Sequence, residues 1–212
     1  AAEAGVPTPL GTSDLATGNY VLNIPCYYDS GADTTAAQIA GWTTGANNYI
    51  RVYTPYNTST ECNLSQRHLG KWDDTKYKLV RTTTGTWQNI IGAQVSYLRI
   101  EGLQMMLIYG HTPAWGIFTD VTGDTADNTL MISDNIIQGN ASGNDLDAFG
   151  VNGSSSANRK CKIWNNIVYK FIDLNSANGT GIAIRGIAST DNTVAYNNTV
   201  YGCYRGMYDG MG

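Results

Sequence analysis

The chain has 212 residues, 42% of them hydrophobic and 14% charged, with a net charge of −4. It is long enough for one well-buried core, too apolar and tyrosine-rich (14 Tyr) for disorder, and too poor in charge for a helical bundle or coiled coil. The acidic balance argues against a nucleic-acid partner, and no apolar run approaches the roughly 18 residues of a membrane span. What remains is an all-β protein with many turns.

The opening Ala1–Gly5 carries neither the charged nor the apolar region of a secretory leader. Ala1–Thr17 is polar and lacks a core pattern, so it is expected to be an arm that reaches a neighbour. Tyr20–Ile24 and Ala36–Trp42 read as strands between polar turns. Residues 1–48 therefore form an arm, an N-terminal cap and the first rungs. Residues 49–212 form one continuous domain, starting with the strand Tyr49–Tyr53.

Residues 54–75 are a long insertion holding Cys62, Arg67, His68, Lys71, Trp72, Asp73 and Asp74. This is the densest patch of chemistry-bearing side chains. An Asp beside His68 would orient it as a base, and Trp72 would stack on a sugar, which makes the two candidate glycan contacts. The alternative is a folded-back loop pinned by salt bridges and a buried Trp.

After Tyr77–Val80, four segments share one pattern: Tyr97–Met105, Leu130–Gly139, Lys162–Tyr169 and Val194–Gly202. Anchored on Gly102, Asn135, Asn166 and Asn198, they are spaced by 33, 31 and 32 residues. A second apolar element follows each anchor, at Gly116, Asp147, Gly181 and Gly206. Two strands at fixed phase within a period near 32 describe the coil of a parallel solenoid. Stacked coils place like residues about 4.8 Å apart. Asn135, Asn166 and Asn198 are then expected to form an amide ladder at one corner, with Asp134, Asn165 and Asn197 at the same bend. Unrelated hairpin turns are the competing explanation.

Gly41–Thr44, Tyr49–Pro55, Gln66–His68 with Lys71–Tyr77, Tyr97–Gln104 and the Asn-Asn-Ile-Val coils resemble right-handed parallel β-helix proteins of the pectin-lyase-like superfamily, of the secreted or phage-associated type. The resemblance runs from Tyr20 onward and implies a right-handed parallel β-helix. It says little of activity, since that superfamily includes lyases, hydrolases, tailspikes, adhesins and scaffolds. A pectate-lyase-like site needs carboxylates for Ca²⁺ and a basic residue on one face. Asp145, Asp147, Asp173 and Arg185 are the candidates, and a solvated turn is the other reading. The His-Gly and Arg-x-Lys of a polygalacturonase-like site are absent, so no catalytic residue is carried over. No cofactor is assigned beyond Ca²⁺ at those carboxylates.

Four cysteines allow three pairings, or four thiols. Cys26 with Cys62 is the preferred disulfide, tying the insertion to the first rung. Glycosylation acceptors occur at Asn57, Asn63, Asn140, Asn152, Asn178 and Asn197. The polar, Tyr-rich texture suits an extracellular, cell-surface or virion protein. The repeat runs into Asp209–Gly212 partway through a coil, which predicts self-association or further domains through the N-terminal segment and the last coil. The expected function is therefore a β-helical structural or assembly protein. The alternative is a polysaccharide-active enzyme or glycan-binding module using the side groove of the solenoid.

Overall fold

The computed structural model describes residues 11–110, 113–119, 128–141, 148–152, 159–172, 179–184 and 194–209. A short helix, α1 (Leu15–Gly18), precedes β1 (Leu22–Pro25), β2 (Ala37–Ile39) and β3 (Ile50–Tyr53). The insertion follows. Then come β4 (Lys78–Thr82), β5 (Gln88–Ala93), β6 (Leu98–Glu101), β7 (Gln104–Tyr109) and β8 (Ala114–Thr119). Next are β9 (Asn128–Ser133), β10 (Ile136–Ala141), β11 (Ala148–Asn152), β12 (Arg159–Trp164), β13 (Ile167–Tyr169) and β14 (Thr180–Ile184). The last three are β15 (Val194–Tyr196), β16 (Thr199–Tyr201) and β17 (Arg205–Asp209).

These strands form three sheets, ordered β1-β3-β6-β9-β12-β15, β4-β7-β10-β13-β16 and β2-β5-β8-β11-β14-β17. From β6 onward the chain visits the three sheets in strict rotation, and the paired strands are parallel. The chain is thus all-β, wound through three stacked parallel sheets, an arrangement consistent with a β-helix. No described helix is long and apolar enough to cross a membrane.

The alternation of side chains along each strand makes the core. One inward row of the first sheet runs Ile24, Val52, Ile100, Ile132, Ile163, Ala195. The second sheet supplies Leu79, Met105, Ile137, Val168, Val200, and the third Ile91, Ile117, Val151, Ile182, Met207. The middle members of each row, such as Ile132, Ile137 and Val151, are fully buried. Aliphatic side chains stacked in register exclude water along the middle of the axis, contributing roughly 1.5–3 kcal/mol for each one buried.

The corner between the first and second sheets is a single left-handed residue. Gly102, Asp134, Asn165 and Asn197 occupy it, with φ of 74°, 57°, 56° and 53°. Gly, Asn and Asp adopt this conformation at least cost. The strand register sets Glu101 opposite Ser133, so Gly102 matches Asp134 and Leu103 matches Asn135. The anchor chosen from sequence at Gly102 is therefore one residue early, because the backbone selects glycine at the bend position and not at the ladder position.

A second departure concerns the expected arm. Its end folds back onto the chain: Leu15 is fully buried in the main core, and its N–H donates to Thr43 O (2.9 Å). The Asp14 carboxylate caps α1 by accepting from the Thr17 N–H (2.8 Å).

Candidate functional site

The ladder corner is built by the bend residues and the Asn after each of them. Leu103 N–H donates to Asn135 Oδ1 (2.9 Å). Asn135 N–H and Nδ2 donate to Asn166 Oδ1 (3.1 and 2.9 Å), and Asn166 N–H and Nδ2 donate to Asn198 Oδ1 (3.0 Å each). Each Nδ2 also donates to a carbonyl of the preceding coil, at Ile100, Ile132 and Ile163. Asn135 and Asn166 are fully buried. Their amides therefore satisfy backbone groups that the bend takes out of the sheet ladder. Asn198 differs, because no acceptor for its backbone N–H exists among the described residues.

The face that carries Asn198 is open. Met207 is 52% exposed although it continues a row whose other members are buried. Val200 and Ala195, also in inward rows, are only partly buried. Tyr196 and Tyr201 are exposed and stack on Trp164 and Tyr169 of the preceding coil, with ring planes 9° and 4° apart. These pairs extend the outer faces as ladders of aromatic rings. Trp115, by contrast, is buried against Phe118 and Trp87.

The insertion packs over the corner that follows β3 and β6. Gln66 N–H donates to Pro55 O, and Gln66 Oε1 accepts from Tyr28 N–H (2.8 Å each). The Arg67 guanidinium lies over the Tyr56 ring (4.5 Å) and fills the space a Cβ at Gly102 would take. His68 is buried, and its Nδ1 accepts from Gly70 N–H (3.1 Å), which places the ring proton on Nε2. His68 Nε2 and Arg67 Nη2 are both buried without a hydrogen-bond partner. Burial pulls the His68 pKa below 6.5; Asp134 opposes the shift and Arg67 adds to it.

This geometry corrects the sequence reading of the patch. Asp73 serves the Thr75 N–H and hydroxyl, and Asp74 holds Lys78 (2.7 Å) and the Trp72 indole N–H (3.1 Å). Neither orients His68, and the residue beside it is Asp134, two coils further on. Trp72 lies in a shallow groove of about 400 Å³ with Leu69, Lys71, Asp73 and Asp74, which His68 does not line. The expected glycan contacts Trp72 and His68 are thus separated, and a buried His68 is closed to a ligand.

Asp145, Asp147, Asp173, Arg185 and Asn178 lie outside the described residues. Among the described residues, no group of three or more His, Cys, Asp or Glu is placed to hold a metal ion. All four cysteines are free thiols, so the expected Cys26–Cys62 disulfide is not formed. Cys26 packs against the core, where burial pushes its thiol up to about 11, while the Cys62 thiol turns to Asn57 O within the insertion. Of the glycosylation acceptors, Asn57, Asn63, Asn140 and Asn197 are exposed. Asn152 is buried in the third sheet and closed to a glycan in the folded chain.

Sequence reasoning missed a second ladder. Gly116, Gly150, Gly181 and Gly206 precede the aligned residues Ile117, Val151, Ile182 and Met207. A Cβ on Gly150 would lie 2.6 Å from Gly181 O, and one on Gly116 2.5 Å from Gly150 O. The recurring Gly before an aliphatic was the available signal. Comparison with known proteins gives no matching family model, no matching curated protein and no matching solved structure.

Proposed function

We propose that this chain is a β-helical structural and assembly protein that grows by stacking a further coil on the face formed by β15, β16 and β17. In this reading it is a right-handed parallel β-helix with coils of about 32 residues and an N-terminal cap, of the pectin-lyase-like type. It works outside the cell, on a cell surface or on a virion. The observation that carries the proposal is the unfinished face itself: three inward rows arrive there partly exposed, and the Asn ladder arrives with the Asn198 N–H unpaired among the described residues.

Natural sheets protect such edges with charge, proline or covering segments. β15 and β16, Val194–Tyr196 and Thr199–Tyr201, contain neither charge nor proline. The covering element is a parallel coil, from another copy or from further polypeptide in a longer fibre. An Asn at its ladder position would accept from Asn198 N–H, as Asn198 does for Asn166. The exposed acceptors Asn140 and Asn197 support the extracellular setting.

Sedimentation velocity across a concentration series tests the reading, with electron microscopy of the same samples. The expected result is concentration-dependent oligomers or filaments that Val200→Asp disperses. A wild-type chain that stays monomeric at high concentration overturns it.

A further inference from the structure

A groove of about 630 Å³ opens between the chain just after β1 and the outer half of the insertion. It is not part of the β15–β17 face: β1 and β15 are the opposite edges of the first sheet. Its volume falls in the range of small-ligand sites. From the groove's lining and charge we infer that it binds a neutral, hydroxyl-rich ligand of about disaccharide size.

The wall after β1 presents Tyr27 and Tyr28, and the insertion presents Thr58, Thr60 and Asn63. Both walls are held in place. Tyr27 hydroxyl donates to Glu61 O (3.1 Å), Tyr28 N–H donates to Gln66 Oε1, and Glu61 Oε2 accepts from Tyr56 and Asn57 N–H (3.2 and 3.1 Å). Among the described residues, the side chains of Asp29, Thr58, Thr60 and Asn63 find no hydrogen-bond partner, so donors and acceptors stand around the opening. Tyrosine side chains beside hydroxyl, amide and carboxylate groups match the alternating apolar and hydroxyl surfaces of a sugar ring.

Charge narrows the class. Among the described residues, no Lys, Arg or His lines the groove, whereas Asp29 and Glu61 do. Acidic ligands therefore meet two carboxylates and no cation. A cationic ligand finds, among the described residues, Asp29 alone as a free carboxylate, since Glu61 is held by two backbone N–H groups and faces Arg51 at 3.8 Å.

Cys62 also lines the groove and reports on its occupancy. Protein made without N-glycans is alkylated with iodoacetamide, and labelling of Cys62 is followed by peptide mass spectrometry. Cellobiose, maltose, lactose and chitobiose are the neutral probes; digalacturonate and spermidine are the acidic and cationic ones. At least one neutral disaccharide should slow Cys62 labelling several-fold while leaving Cys203 unchanged. Asn63→Ala with Thr60→Val, both on the exposed loop, should weaken that protection about tenfold with unchanged thermal unfolding. Failure of every neutral probe to protect Cys62 overturns the inference, as does equal or better protection by digalacturonate or spermidine. Either result leaves the assembly reading standing.

Discussion

Asn166 shows how much a single side chain contributes when it is repeated. Its amide touches three coils: it accepts from Asn135 and donates to Ile132 O, Trp164 O and Asn198 Oδ1. Replacing it with leucine strands a buried N–H of Asn135 and the Ile132 carbonyl together. Asn166→Leu should lower unfolding stability by on the order of 3 kcal/mol. Asn198→Leu, at the open end, leaves fewer groups unpaired and should cost about 1 kcal/mol. Denaturant unfolding of both variants checks the ordering, and equal losses would remove the ladder as a cooperative feature. The ladder was legible because Asn is polar yet recurs at a fixed period, which hairpin turns need not do. The bend beside it was less legible. Asp134, Asn165 and Asn197 share short Asx side chains as well as a backbone conformation, whereas Gly102 shares only the conformation and was aligned with the wrong neighbour.

Among elements, regular coils could be read and the segments between them could not. Period and alternation give the inward rows of β6 to β16 directly, since each inward position must be apolar to be buried. The insertion has no period, so composition alone suggested that His68, Asp73 and Asp74 act together. In the fold, local turns capture both carboxylates, and His68 faces a residue more than sixty positions away. That partner was invisible until the coils were stacked. The Gly row was visible but looked like ordinary turn glycine. Gly150→Ala brings a methyl against Gly181 O and should cost about 1–3 kcal/mol by overpacking, read as a lower denaturation midpoint. The pH response of the insertion follows from His68. The folded chain holds His68 neutral below its ordinary pKa of 6.5, so the unfolded chain binds the extra proton first as pH falls. Stability is full above 6.5 and declines as pH drops through that value toward the lowered folded pKa. His68→Gln keeps an acceptor for Gly70 N–H and removes the titration. The difference in unfolding free energy between wild type and His68→Gln should therefore shrink below pH 6.5. A pH-independent difference would show that His68 is not held neutral.

At the scale of the molecule, the same inward row carries opposite consequences at its two positions. Val168 and Val200 are adjacent members of one row, Leu79, Met105, Ile137, Val168, Val200. Val168 is fully buried, whereas Val200 lies on the open face. A carboxylate at 168 has no water and no partner, and charge burial of that kind is strongly destabilising. Val168→Asp should therefore abolish cooperative folding. A carboxylate at 200 remains solvated in the isolated chain, so Val200→Asp should leave the monomer folded with a nearly unchanged circular dichroism spectrum. What it should remove is stacking, because a covering coil would bury that charge against its own aliphatic row. Met207→Lys, on the third sheet of the same face, should behave like Val200→Asp, while a change on the outer surface such as Lys162→Glu should leave association intact. If Val200→Asp and Met207→Lys unfold the chain as Val168→Asp does, the face is part of a closed core. If both fold and associate like the wild type, assembly does not run through β15 to β17.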